Sequence, residues 1–299
     1  MQRKLVYLIN PISGTKKKIN VRATIINKTE AEKLPFEILD TRIDGDYGWL
    51  KEKILREEVT DVIICGGDGS VSAVAAALLN INVVIGIVPM GSGNGLALAA
   101  GIPASAAKAL KIIFRGNSSY IDGFSINDKF SCMMCGMGSD AQIAHDFAAK
   151  KKRGLKTYLR LSALHYFRSR PFSFTIETKE RTFDTKAFFI CVANSNQFGN
   201  HVTIAPKASL NDGLFDIVIV NKMSKLTLPF YLLHQIAGIN TLQEINNYRK
   251  SRSITYFQSS EATIINHNDA PLHIDGEPEP LTKKINLKII PNAFRLLQP

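Results

Sequence analysis

No stretch of this 299-residue sequence is uniformly apolar over the roughly 18 residues that a bilayer-spanning helix needs. The richest window, Val71 to Val88, is interrupted by Ser72, Asn80 and Asn82 and changes from helical to strand-like composition. A secretory leader is not expected either, since two basic residues precede only a short apolar strand with no cleavage pattern. The expectation is a soluble, cytoplasmic protein. Cysteine is scarce, at Cys65, Cys132, Cys135 and Cys191. Cys132-Met133-Met134-Cys135 has the spacing of half a metal site, but no second pair completes it. Buried thiols in a reducing compartment are expected instead. Also missing are the lysine-bearing phosphate loop G-x-x-x-x-G-K-[ST], any helix-turn-helix or zinc-finger pattern, internal repeats and low-complexity linkers. Acid is the charge in short supply: 26 Asp+Glu against 37 Lys+Arg leave a net +11. Such a surplus calls for an anionic partner, and without a nucleic-acid motif we expect phosphates and an anionic membrane surface, with no nucleic acid.

What is present is organised around Asp61 to Pro103. An apolar run, Val62 to Cys65, ends in Gly66-Gly67-Asp68-Gly69-Ser70, and a helical run, Val71 to Leu79, follows. A second apolar run, Val83 to Val88, ends in Pro89-Met90-Gly91-Ser92-Gly93-Asn94-Gly95, again followed by helical residues. Strand, glycine turn and helix are thus written twice. Continuous apolar strands alternating with helices predict a parallel sheet covered on both faces. Ligands of such sheets sit outside the carboxyl ends of the strands, where both turns fall. Glycine lets the backbone approach a ligand closely, and amides at a helix N-terminus suit phosphate. Asp68 and Ser70 add a carboxylate and a hydroxyl, which suits a divalent cation or a sugar. One such turn could be purely structural; two in succession point to a nucleotide phosphate site.

Around this stretch, Lys4 to Ile9 reads as a first strand running into Asn10-Pro11-Ile12-Ser13-Gly14 and three lysines, a further turn at the same edge. Phe36 to Leu39 reads as a short strand that places Thr41 there too. Helices are expected from about Tyr47 to Glu58 and from Ala104 to Arg115. The alternation stops near Gly116, so residues 1–121 are expected to form a Rossmann-like, doubly wound α/β domain. Residues 122–290 differ. Tyr120 to Cys135 reads as two strands around an Asn127-Asp128 turn. Between Lys150 and Arg170 eight Lys/Arg alternate with apolar residues, either a solvated helix face or a contact for phosphate or anionic lipid. Strands are then expected over Phe172–Thr178, Thr182–Val192, Leu214–Val220, Ser253–Ser259, Glu261–Ile265 and Ile285–Ile290, with one helical interruption around Lys225 to Asn247. Short strands separated by turns suggest a β-sandwich. Asn211-Asp212-Gly213-Leu214 and His273-Ile274-Asp275-Gly276-Glu277 both place acids around a glycine. By spacing alone the first reads as a plain Asx-Gly turn, while the second is read equally well as a hairpin turn or as a site, where a carboxylate could act as a base.

In order and spacing, these segments resemble the diacylglycerol kinase catalytic-domain family, which includes bacterial lipid kinases and the sphingosine and ceramide kinases. The resemblance is carried by Asn10-Pro11 with Ser13-Gly14, Thr41, Gly66 to Ser70, Gly91-Ser92-Gly93-Asn94, Asp122, Asn194, Asp212-Gly213-Leu214 and Asp275-Gly276-Glu277. It implies a two-domain kinase with ATP in the cleft between an α/β domain and a β-sandwich, the end of the chain (about 291–299) returning to the first domain. It implies ATP and Mg²⁺ as cofactors. Nucleotide contacts would come from Asn10, Thr41, Gly66, Gly67, Asp68, Gly69, Ser70, Ser72, Ser92 and Gly276. Glu277, or alternatively Asp68, would be the general base. Asp122 would lie by the lipid head group, and Asp212 with the Leu214 carbonyl would hold a structural magnesium. Ser70 and Ser92 stand where bacterial members often carry Thr, and Gly91-Ser92-Gly93-Asn94 is nearer the sphingosine-kinase form. An expected His-Ala after Thr41 is replaced by about Asp46-Tyr47. The implied activity is ATP-dependent phosphorylation of a lipid hydroxyl at an anionic membrane surface, by a protein peripherally associated with it. The alternatives are a kinase of a soluble substrate such as NAD, and a non-catalytic lipid- or nucleotide-binding regulator. An exposed strand edge would also allow two copies to pair as a homodimer.

Overall fold

The computed structural model describes residues 2–11, 19–42, 45–91, 93–148, 160–161, 164–165, 170–197, 205, 207–221, 248–250 and 254–299. The turn residues 12–18, Ser92, most of the basic stretch after Lys150 and the interruption Lys225 to Asn247 lie outside the described residues. The chain forms two compact units, Met1–Ile121 with Asn292–Pro299, and Asp122–Pro291.

In the first unit strand and helix alternate: β1 (Leu5–Ile9), α1 (Ile19–Ala31), β2 (Phe36–Asp40), α2 (Gly48–Glu57), β3 (Asp61–Gly66), α3 (Asp68–Ala77), β4 (Val84–Pro89), α4 (Gly95–Ala99) and α5 (Ala106–Arg115), then β5 (Ser118–Ile126). Every residue of β1 and β3 is buried, as parallel strands covered on both faces must be. The strand order is β2-β1-β3-β4, all parallel, and the last strand of the chain joins β4 in the same sense through Arg295 and Leu296. Helix α5 buries Ala109, Leu110, Ile112 and Ile113 and stops at Gly116, whose φ of 78° is a left-handed cap that glycine adopts without strain.

At the N-terminal edge of this sheet, Arg3 grips the buried carboxylate of Asp61 with two bonds, Nη2 to Oδ1 at 2.6 Å and Nε to Oδ2 at 3.1 Å. Thr60 adds its hydroxyl at 2.6 Å.

The second unit holds β6 (Lys129–Ser131), β7 (Met134–Gly138), α6 (Ser139–Ala148), β8 (Phe172–Thr178), β9 (Thr182–Ala187), β10 (Phe189–Ala193), β11 (Phe215–Val220), β12 (Tyr248–Lys250), β13 (Ile254–Ser259), β14 (Glu261–Asn266), β15 (Leu272–Ile274), β16 (Glu277–Glu279) and the part of β17 (Lys284–Leu297) that precedes Asn292. One sheet runs β12-β13-β11-β10-β7-β15-β16, and the other includes β17-β14-β8-β9 with the β5–β6 hairpin against β17. Phe124, Phe174, Ile176, Phe215, Ile217, Phe257, Ile264 and Leu287 pack between them in one apolar core. This is the expected β-sandwich. Two strand expectations are corrected. Thr182 to Val192 is not continuous: at Phe188 the chain leaves β9 in one sheet for β10 in the other, the Phe188 N–H bonding Val220 O and its carbonyl accepting from Ser139. Tyr120 to Cys135 is three strands rather than two, because the chain changes sheets at Cys132-Met133. Apolar alternation reports which face is buried and not which sheet the strand joins. All four cysteines are buried and free, and burial pushes the Cys65, Cys135 and Cys191 thiols up. Among the described residues no helix is long and apolar enough to cross a membrane.

Replacing Arg3 by Met would leave the Asp61 carboxylate buried without its cation. We expect urea denaturation to show a loss of about 3 kcal/mol, the usual scale for breaking a buried pair.

Candidate functional site

In the first unit, the site residues gather at the carboxyl ends of the parallel strands. Backbone bonds join the strand ends: Asn10 N–H to Cys65 O at 3.0 Å, Thr41 N–H to Ile9 O at 2.9 Å and Met90 N–H to Gly66 O at 2.8 Å. Beyond them the two glycine turns touch. A Cβ on Gly91 would stand 2.6 Å from Gly67 Cα, and one on Gly67 would stand 3.0 Å from Gly91 Cα. Both obstacles are main chain, so no side-chain movement relieves them. Asn94, at φ 53°, closes the second turn on itself: its Oδ1 accepts the Gly91 N–H at 2.8 Å and its Nδ2 donates to Gly91 O at 2.9 Å. Asn10 Nδ2 donates to Ser70 Oγ at 2.9 Å, and a Cβ on Gly66 would strike Ser70 Cβ at 2.8 Å.

Helix α3 starts at Asp68 with no side-chain cap on Gly67. The positive end of its dipole therefore lies at the glycine turn, an arrangement that attracts phosphate. The structure thus brings Asn10, Thr41, Gly66, Gly67, Asp68, Gly69 and Ser70 to one sheet edge, with Ser72 one turn into α3.

In the second unit, Asp122 is buried and its Oδ2 accepts the Gly213 N–H at 2.7 Å. Asn194 Nδ2 donates to the carbonyls of Asp122 at 2.9 Å and Cys132 at 3.3 Å. These bonds fix the turn that carries Asp212 and Leu214. Asp212 Oδ1 accepts the Leu214 N–H at 3.1 Å, while Gln258 Nε2 lies 3.4 Å from both Asp212 Oδ2 and Asp216 Oδ2. Tyr256 donates its hydroxyl to the fully buried Asp216. Burial pushes Asp216 up to about 7, and burial followed by the Asp122 charge raises Asp212. Crowded carboxylates with raised affinity for protons also favour a cation. An oxygen-only set of Asp212 carboxylate and Leu214 carbonyl suits Mg²⁺. Among the described residues, no group of three or more His, Cys, Asp or Glu side chains is arranged to hold a metal by itself. Water and main-chain carbonyls would have to complete such a shell.

Glu277 follows a two-residue hairpin turn between β15 and β16, with Ile274 opposite it. Asp275 at φ 49° and Gly276 at φ 86° give the turn the twist that tight hairpins need. Asp275 is a fastening: its Oδ1 accepts from Ser131 Oγ at 2.6 Å and from the Met134 N–H at 2.9 Å. Glu277 itself is exposed. Residue spacing did not single out Asp140, Tyr256 or Gln258. Their partners lie 40 to 133 residues away in the chain, so no local pattern announces them.

Two family models cover most of the chain: the diacylglycerol kinase catalytic domain over residues 4–126, and the YegS C-terminal NAD kinase beta sandwich-like domain over residues 134–298. A "Probable lipid kinase YegS-like" protein of Shewanella frigidimarina is 27% identical over 271 residues, covering 86% of this chain and 84% of its own. A diacylglycerol kinase of Bacillus subtilis is 25% identical over 275 residues, covering 90% and 88%. A crystal structure from Bacillus anthracis str. Sterne matches with a TM-score of 0.83 at 21% identity, covering 99% of this chain and 97% of that one. A second, of a diacylglycerol kinase from the same strain, matches with a TM-score of 0.76 at 18% identity, with the same coverage. At such identities these structures establish the fold.

The Gly67–Gly91 approach leaves no room for a methyl group. Gly91→Ala is therefore expected to spread the turns and weaken MgATP binding at least about tenfold by calorimetric titration, with the circular dichroism spectrum unchanged. Undiminished binding would mean that the turns need not touch.

Proposed function

The chain belongs to the family in which a diacylglycerol kinase catalytic domain precedes a YegS-type β-sandwich domain, and from that premise we propose that it is an ATP-dependent lipid kinase. The observation that supports this reading most is the pair of touching glycine turns at the end of the parallel sheet, with the N-terminus of α3 behind them. Phosphoryl transfer depends mainly on positioning and electrostatics, which rigid backbone amides supply. In this reading Asn10, Thr41 and the Gly66 to Ser72 segment hold the nucleotide, with Asp68 beside its phosphates. Ser92 and Gly276 complete the nucleotide contacts.

Glu277 takes the proton of the lipid hydroxyl. The freed oxygen bonds to the γ-phosphorus while the bond from that phosphorus to the β-phosphate oxygen breaks, and ADP leaves. Mg²⁺, when bound, neutralises charge on the transferring group. Asp68 would face it at the phosphates, while Asp212 and the Leu214 carbonyl would hold a second, structural ion. Asp122 positions the Gly213 turn next to that site and would lie near the lipid head group. The acceptor is a hydroxyl next to apolar tails, as in diacylglycerol or a sphingoid base. The net +11 charge would hold the protein against an anionic bilayer, peripherally.

The test is a transfer assay with γ-labelled ATP, Mg²⁺ and separate micelles of diacylglycerol, sphingosine, ceramide and monoacylglycerol, with NAD as the soluble acceptor. Label is expected in a lipid product, and chelation of Mg²⁺ should stop its formation. Glu277→Gln and Asp68→Ala should each lower turnover at least about 100-fold, the scale of a lost acid–base group. Label in NAD alone would replace the lipid reading by that of a soluble-substrate kinase. Near-full activity in both variants would remove the assigned roles, and ATP binding without any transfer would favour a regulator.

A further inference from the structure

Behind the Glu277 turn lies a buried pair that the transfer reaction does not itself use. His273 in β15 and Asp140 in the first turn of α6 are 2% and 5% exposed. His273 Nε2 stands 3.0 Å from Asp140 Oδ2, and the Gly276 N–H donates to His273 Nδ1 at 3.2 Å. An amide can donate to Nδ1 only when that nitrogen carries no proton. The ring proton therefore sits on Nε2 and is donated to Asp140. The negative carboxylate lies in the first turn of its helix, where the dipole favours it.

Gly136 of β7 faces His273 in the sheet register, and a Cβ there would stand 2.2 Å from Asp140 Oδ2 and 2.3 Å from His273 Nε2. Only glycine at this position lets the two side chains meet. The residue opposite His273 in the hairpin is Pro278, which has no N–H to give to the ladder. The turn is consequently held from its flanks: Asp275 by Ser131 and Met134, and Gly276 by the imidazole.

We propose that His273 is a positioning residue: locked by Asp140, it holds the Gly276 amide and so sets where Glu277, the next residue, presents its carboxylate. This rests on the reading that Glu277 takes the proton of the acceptor hydroxyl. A purely structural pair would affect stability alone, whereas a positioning pair affects turnover through one specific contact, the one at Nδ1.

Two conservative variants of the full chain separate the contacts. In His273→Asn the amide oxygen falls near Nδ1 and keeps an acceptor for Gly276 but loses the bond to Asp140. In His273→Gln the amide reaches the Nε2 position and keeps Asp140 but leaves Gly276 without its acceptor. His273→Gln should lower kcat about tenfold or more, the effect of a misplaced group. His273→Asn should keep most of the turnover. In a Glu277→Gln background, His273→Gln should lower kcat no further, since both act through one carboxylate. Hydrogen exchange of the Gly276 amide should be faster in His273→Gln and not in His273→Asn. Full kcat in His273→Gln, equal losses in both variants that track their melting temperatures, or an additive loss in the Glu277→Gln background would each overturn the proposal. Should the unmodified protein transfer phosphate to no acceptor, the kinase reading fails by itself. Gly276 exchange then decides whether His273 holds the turn, and an unchanged rate in His273→Gln would refute that.

Discussion

Two stretches of main chain meet at Gly67 and Gly91 with no side chain between them, and the first unit is arranged so that they can. The contact needs β3 and β4 to be adjacent and parallel and to end at the same level, which their register from Asp61–Val84 to Gly66–Pro89 provides. It also needs the second turn to be closed, which Asn94 does by bonding Gly91 from both sides. The first turn in turn must pass directly into α3, so that the helix N-terminus lies at the same spot. An anion there meets oriented N–H groups that need no reorganisation, the property that makes backbone turns effective around phosphate.

The second unit applies a different constraint. The acids proposed for the reaction sit on turns of a β-sandwich, and a turn is only as well placed as its fastenings. Asp122 fastens the Gly213 turn, while Asp275 and His273 fasten the turn before Glu277. Asp122, Asp140 and His273 are therefore buried and spent on hydrogen bonds, while Asp212 and Glu277 remain exposed at the surface. A buried polar group without partners would be costly, so these contacts stabilise the sandwich and orient its acids together.

Much of the α/β architecture was legible in the sequence. The apolar runs at Val62 to Cys65 and Val83 to Val88 are β3 and β4, and the helical run from Val71 lies in α3. Fully buried parallel strands are short uninterrupted apolar runs, a strong local signal. The sandwich was legible as a class and less so in detail. Where the chain changes sheets, at Phe188 and at Cys132-Met133, no glycine or proline marks the break.

The sequence by itself determined the chemistry at hand: which turns are glycine-rich, which acids flank glycines, and the order that links them to a lipid-kinase family. That follows because turn conformation and residue type are properties of a few neighbouring residues. The tertiary structure decided which of those acids are engaged in hydrogen bonds that hold turns and which reach the surface. It showed Asp275 and Asp122 spent on holding turns, Glu277 exposed, and Asp140 brought to His273 across a gap that only Gly136 leaves open. Hydrogen-bond partners 91 to 141 residues apart share no local pattern, and only the sheet registers bring them within reach.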